Sequence, residues 1–116
     1  MPNTTGYSFG DVVLVPFPFT DQSTAKQRPA VVVSSVVYNA ERPDLNILAV
    51  TSQPSARSGL AEAGVRDWKR AGLLKPSVFK PVVTTIDRHL VLRKLGALSD
   101  RDRTALAGLL RSMLGE

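Results

Sequence analysis

The sequence predicts a mainly β (α+β) fold: a small, strongly curved barrel of five or more short strands, partly covered by one C-terminal helix. Three observations carry this. Short β-branched runs recur between turn residues across most of the chain. Prolines at 16, 18 and 81 interrupt two of those runs, as they do where strands end or lie at an edge. A single amphipathic helical pattern closes the sequence. The 116 residues, 43% of them apolar, suit a single domain over 1–116. A chain of that size buries about 65% of its unfolded surface and needs no staples.

The elements follow in order. Gly10-Asp11 is a turn that launches a strand from Val12 to about Val15. Pro16 and Pro18 then remove ladder donors, so the far end of this strand lies at an edge or leaves the sheet. Phe17 and Phe19 share a face with Val13 and Val15 by the period of two. Residues 20–27 are polar and read as a mobile loop, ended by Arg28-Pro29. Residues 30–37 form a β-branched run, as in a strand buried on both faces. Residues 38–43 connect it to a third strand over 45–52. The stretch 54–72 is broken by Gly59, Gly64 and Gly72 and holds at most one helical turn, over 65–70. Residues 77–86 are a strand interrupted by Pro81, 87–89 a turn, and 90–95 a further strand closed by Gly96. Ser99 caps the last helix, with Asp102 in capping-box spacing. Leu106, Leu109, Leu110, Met113 and Leu114 form its apolar stripe, and Gly115 ends it.

Composition removes several kinds of chemistry. With no cysteine there is no disulfide, thiolate nucleophile or Cys-ligated metal. His89 is the single histidine, which argues against His-cluster metal sites, and Asp11, Asp21, Asp44 and Asp87 show no metal-ligand spacing. No apolar run approaches membrane-spanning length and no signal-like N-terminus is present, so the chain reads as soluble and cytoplasmic. The net charge of +5 lies entirely in the second half. Residues 1–58 carry four basic and four acidic groups, whereas 59–116 carry eleven and six. A one-sided basic surface attracts polyanions, although a solvated cationic face is the plainer explanation.

Few side chains can do chemistry. Arg28 stands between a polar loop and a buried strand, where its guanidinium can clamp a phosphate in bidentate fashion or simply face solvent. Thr51 and Ser52 end the third strand, and their hydroxyls meet the same phosphate oxygens if the second and third strands are neighbours. Trp68, among Arg66, Lys69 and Arg70, either stacks on a base or pins the long connection to the core. His89, in a turn beside Asp87, reads first as a surface residue. The glycines match neither a P-loop nor a dinucleotide fingerprint.

These residues also carry a resemblance. Gly10-Asp11-Val12-Val13-Leu14-Val15-Pro16-Phe17-Pro18-Phe19-Thr20-Asp21 resembles the opening of the MazF/PemK family of toxins from type II toxin–antitoxin pairs. Arg28-Pro29-Ala30-Val31-Val32-Val33 is similar to that family's arginine-proline strand, and Val50-Thr51-Ser52-Gln53 to its third-strand signature. Asp67-Trp68-Lys69, Ala71-Gly72-Leu73-Leu74-Lys75-Pro76-Ser77-Val78, Thr85-Ile86-Asp87 and Arg93-Lys94-Leu95-Gly96-Ala97-Leu98-Ser99 resemble a PemK-like subgroup. The resemblance covers roughly residues 8–114.

It implies an SH3-like barrel with a C-terminal helix, paired as a homodimer. It also implies a sequence-selective endoribonuclease that cleaves single-stranded RNA without a metal or other cofactor. In the family reaction the ribose 2′-OH attacks the adjacent phosphorus, leaving a 2′,3′-cyclic phosphate and a free 5′-OH. Arg28 matches the family's catalytic arginine and Thr51 its catalytic threonine. Fixed donors of this kind stabilise the charge that gathers on the non-bridging oxygens, each typically by ~2.7–4 kcal/mol. Pro81 stands where some members carry an acidic residue, and it cannot take a proton. Asp21, the one carboxylate of its loop, is left as the candidate base. Lys26, Ser52, Gln53 and Lys80 are candidate RNA contacts. The expected partner is an antitoxin with an acidic, largely disordered tail. Two other readings stay open: a catalytically impaired barrel that binds RNA or protein, and a gyrase-targeting toxin of the same fold.

Overall fold

The computed structural model describes residues 6–17, 26–53 and 63–115. Among these residues six strands form one antiparallel sheet: β1 (Asp11–Phe17), β2 (Lys26–Val32), β3 (Asp44–Thr51), β4 (Ala63–Val65), β5 (Ser77–Asp87) and β6 (Arg93–Ala97). Their order across the sheet is β4-β5-β3-β2-β1-β6. Helix α1 (Val36–Glu41) joins β2 to β3, a 3-10 turn (Arg88–Leu90) follows β5, and α2 (Asp100–Met113) follows β6. Register shifts between Val12 and Val13 against β6, and between Leu48 and Val50 against β5, help to curl the sheet into a half-barrel.

The period of two divides the strand residues between two cores. Val12, Val31, Leu48, Val50 and Phe79 face α2 and join Leu98, Leu106 and Leu109. Val13, Val15, Ala30, Val32, Leu45, Ile47 and Ile86 form a second cluster on the other face, flanked by Tyr7, Leu90 and Val91. Residues 30–32 are therefore buried on both faces, as their apolar run predicts.

Helix α2 begins where Ser99 accepts a hydrogen bond from the Asp102 N–H at 3.4 Å. The Asp102 carboxylate accepts the Ser99 hydroxyl at 3.3 Å rather than the Ser99 backbone N–H that a capping box requires. It lies buried and accepts the backbone N–H groups of Arg66 and Asp67 at 2.9 and 2.8 Å, tying the helix start to the connection after β4. That connection closes as a Schellman motif: Leu73 N–H bonds to Trp68 O, Gly72 N–H bonds to Lys69 O, and Gly72 sits at φ +87°. The expected helical turn over 65–70 is thus a tight turn over 66–72, and Trp68 packs against the first core. Gly72 and Gly96 let this turn and β6 touch backbone to backbone; a Cβ on Gly72 would stand 2.1 Å from Leu95 O.

Several boundaries depart from the sequence reading. The second strand stops at Val32, and residues 36–41 are helical. Ser35 caps this helix, accepting from Tyr38 N–H. Asn39, buried, donates to Tyr7 O and Ser34 O and accepts the Ser34 hydroxyl, so local side-chain bonds outweigh the β preference of Val36 and Val37. These two valines are exposed. β2 starts at Lys26, inside the expected loop. The last strand starts at Arg93 rather than residue 90, because Asp87 caps the 3-10 turn, and Gly96 lies within it. Leu114 leaves the apolar stripe as the C-cap and is exposed. Phe19, Asp21 and most of the two irregular stretches lie outside the described residues.

Candidate functional site

β1 ends, β2 begins, β3 ends and β5 begins at the same end of the sheet. Val15 pairs with Arg28, and Thr51 pairs with Val78. The β2–β3 ladder pairs Val32 with Ile47, Val31 with Leu48 and Ala30 with Ala49. That ladder ends at Ala30 and Ala49, and Arg28 and Thr51 lie two residues beyond it on their strands, on the same face. Val15 and Arg28 on one side, and Thr51 and Val78 on the other, therefore stand in a row on one face at one end of the sheet. Paired residues share a face, and Val15 marks this face as the one holding the second core cluster. The second and third strands, whose adjacency is open from sequence, are neighbours.

Arg28 is exposed, and its guanidinium makes no ion pair with any described residue. The Thr51 hydroxyl accepts the Gln53 N–H at 3.1 Å and lies 3.4 Å from Gln53 O. This local turn fixes the hydroxyl oxygen and leaves its proton only a long internal acceptor. Ser52 and Gln53 follow β3 and are exposed. Lys26 alternates with Arg28 and opposes Phe17, so both Lys26 and Phe17 belong to this face. Phe79 points into the first core, which turns Lys80 to the side of Val78 and Thr51. Lys80, Pro81 and Val82 oppose Ala49 alone, and the bulge takes in the missing proline N–H. The row is thus rimmed by Lys26, Arg28 and Lys80, all exposed.

Charge is distributed unevenly along the strands. At the far end stand Asp11, Asp44 and Asp87, each with its own compensation. Lys94 Nζ is 3.3 Å from Asp11, Arg42 Nε 2.9 Å from Asp44, and His89 Nδ1 3.0 Å from Asp87. The Arg42 hydrogen bond holds the Asp44 carboxyl below the usual carboxylate range, and the His89 backbone N–H does the same for Asp87. His89 therefore sits away from Arg28, in a surface Asx turn. Among the described residues no carboxylate lies on the Arg28 face at the Arg28 end. Asp67, which follows β4, is bound by Arg101 and Ser99 beside α2. Also among the described residues, no three His, Cys, Asp or Glu gather into a metal-binding group, and no helix is long and apolar enough to cross a membrane.

The sequence reading names the residue types of this row but misses two of its features. One is the inclusion of Phe17, signalled only by its alternation with Val13 and Val15. The other is the gathering of three aspartates at the far end of the sheet, visible in sequence as an aspartate opening each of β1 and β3 and closing β5.

The described residues thus form a curled antiparallel sheet with a C-terminal helix and an exposed cationic end, a mostly β fold. Three solved structures share the fold. The toxin MazF-mt6 of Mycobacterium tuberculosis has 22% identity and a TM-score of 0.70, with 88% of this chain and 93% of that one covered. MazF of Deinococcus radiodurans has 23% identity and a TM-score of 0.72, covering 96% and 98%. A mycobacterial endoribonuclease in complex with its cognate antitoxin has 16% identity and a TM-score of 0.69, covering 95% and 94%. Comparison with curated protein sequences finds no match. The profile of the PemK-like, MazF-like toxins of type II toxin–antitoxin systems matches residues 8–114, and the chain belongs to that family.

Proposed function

We propose that this toxin is an endoribonuclease that cuts single-stranded RNA by metal-independent, sequence-selective transesterification. One observation carries the reading: Arg28, without an ion pair among the described residues, and Thr51 stand on one face at the cationic end of the sheet, each two residues beyond the β2–β3 pairs. A phosphodiester over this row meets a bidentate guanidinium and a fixed hydroxyl together. The 2′-oxygen bonds to phosphorus as the P–O5′ bond breaks, giving a 2′,3′-cyclic phosphate and a 5′-OH. Charge builds on the non-bridging oxygens, where Arg28 is the main electrostatic group and Thr51 the positioning donor. The 2′-proton leaves to a base, for which Asp21 is the candidate, and O5′ takes up a proton. Lys26, Ser52, Gln53 and Lys80 hold the flanking RNA.

The same reading makes the protein a cytoplasmic homodimer, inhibited by an antitoxin with an acidic, largely disordered tail. Antitoxin-bound relatives of the same fold from mycobacteria and Deinococcus radiodurans support the partner. A second reading, a barrel that binds RNA without cutting it, is favoured by Pro81 alone. The deciding experiment incubates the purified protein with a long single-stranded RNA in EDTA and types the termini. Cyclic-phosphate ends that disappear with Arg28→Ala are expected. Intact RNA, or cutting indifferent to that substitution, overturns the reading.

A further inference from the structure

We infer that the connection over residues 66–76, with its turn over 66–72, is a pre-formed docking platform for an acidic peptide segment that carries an apolar anchor. The connection presents Arg66, Lys69, Arg70 and Lys75, all exposed, around Leu74, which is 93% exposed. None of the four cations is in an ion pair among the described residues, and the one acidic side chain of the turn, Asp67, is bound by Arg101 of α2 at 2.8 Å, with Arg70 adding a weaker attraction. The segment therefore offers uncompensated positive charge together with a fully presented leucine.

An exposed connection of this kind is ordinarily mobile, yet residues 66–73 of this one, just before Leu74, are fixed from three sides. The buried Asp102 carboxylate holds the Arg66 and Asp67 amides, the Schellman bonds close the turn, and Gly72 and Gly96 lock it against β6. Such pre-organisation lowers the ordering cost of binding. RNA is the less suitable occupant. A base needs an open aromatic face, but Trp68 packs on the core and carries Lys69 Nζ 5.5 Å from its ring centroid. Leu74 offers a side-chain pocket filler rather than a stacking plane. Lys75 lies three residues before Val78, the β5 partner of Thr51, so a segment seated here leads directly onto the Arg28 row. The inference deepens the toxin–antitoxin reading and rests on it for the partner, but it is independent of RNA cleavage.

The test measures binding of two short synthetic peptides and one single-stranded RNA oligonucleotide to the full chain by fluorescence anisotropy. One peptide mixes glutamates with leucines; the other has the same charge without leucine. We expect the mixed peptide to bind, and Leu74→Ser to weaken it about tenfold while sparing the leucine-free peptide and RNA cleavage. The pair Lys69→Glu and Arg70→Glu weakens both peptides and flattens their salt dependence. Lys75→Glu gives an independent check. The inference is overturned if the mixed peptide fails to bind, if these substitutions leave its binding unchanged, or if Leu74→Ser weakens RNA in its place. Intact RNA beside peptide binding that the substitutions weaken overturns the ribonuclease reading alone.

Discussion

The Asp102 carboxylate accepts the backbone N–H of Asp67 at 2.8 Å, from 35 residues away in sequence. With the parallel bond to Arg66 N–H, one buried side chain holds both the first turn of α2 and the connection that leads into β5. Asp102→Ala leaves two amides without their acceptor and costs about 3 kcal/mol. For a domain of this size that lowers Tm by roughly 10–20 °C, and Asp102→Asn, which keeps one acceptor, loses less. Thermal unfolding by circular dichroism measures both.

Gly72 and Gly96 form the other half of that attachment. A Cβ on Gly96 would stand 2.5 Å from Ala71 O, and Gly72 has a positive φ besides. Alanine at either position forces backbone from backbone and costs at least ~2 kcal/mol. Urea titration is expected to show both variants far less stable than the parent, whereas Gly64→Ala, with open space around its Cβ, is accepted.

Two leucines make a contrast of burial. Leu106→Ala empties a fully buried site and costs about 2–5 kcal/mol, whereas Leu74→Ser, on the surface, changes stability by about 0.5 kcal/mol or less. Equal midpoints for the two variants would contradict the core assignment.

At the cationic end, Arg28→Ala is expected to lower the RNA cleavage rate by about 10²–10³ with no change in Tm. Arg28→Lys keeps the charge but loses the bidentate fork, and falls between the two. Thr51→Val, which removes the donor at nearly constant volume, reduces the rate without weakening RNA binding. Single-turnover cleavage beside a filter-binding titration separates these effects.

Acid is expected to weaken the tie between Asp67 and α2. The Arg101 hydrogen bonds hold the Asp67 carboxyl far below its ordinary value of 3.8, with the Ser99 hydroxyl adding to the effect. A depressed carboxyl stabilises the folded state above the unfolded pKa, and that stability is lost as pH falls through the folded one. Tm should therefore decline on acidification below about pH 4 more steeply in the parent than in Arg101→Ala. Coincident slopes would show that the pair contributes nothing.

The acid limb and the Asp102 staple share one lesson about what was legible. Ser99, Asp102 and the leucines of α2 are readable in sequence because a cap and a 3.6-residue period act over one or two turns. The target of the Asp102 carboxylate is unreadable, since a capping box and a long-range staple use the same residue at the same spacing. Helix α1 was hidden for a related reason. Val36 and Val37 favour a strand locally, and the Asn39 bonds to Tyr7 and Ser34 that decide otherwise exist only once the chain has folded back.

Sequence by itself determined which chemical groups this protein owns: one arginine before a buried strand, a hydroxyl closing the next, no thiol, and an excess of cations in its second half. Those are matters of covalent identity and short-range pattern. Tertiary structure decided that the arginine and the hydroxyl share one face of one sheet end, that Asp11, Asp44 and Asp87 collect at the opposite end, and that residues 66–73 are tied to α2 and β6. Strand order, register and face follow from how two cores pack on one curled sheet, and a shift of one residue would have sent each side chain to the other side.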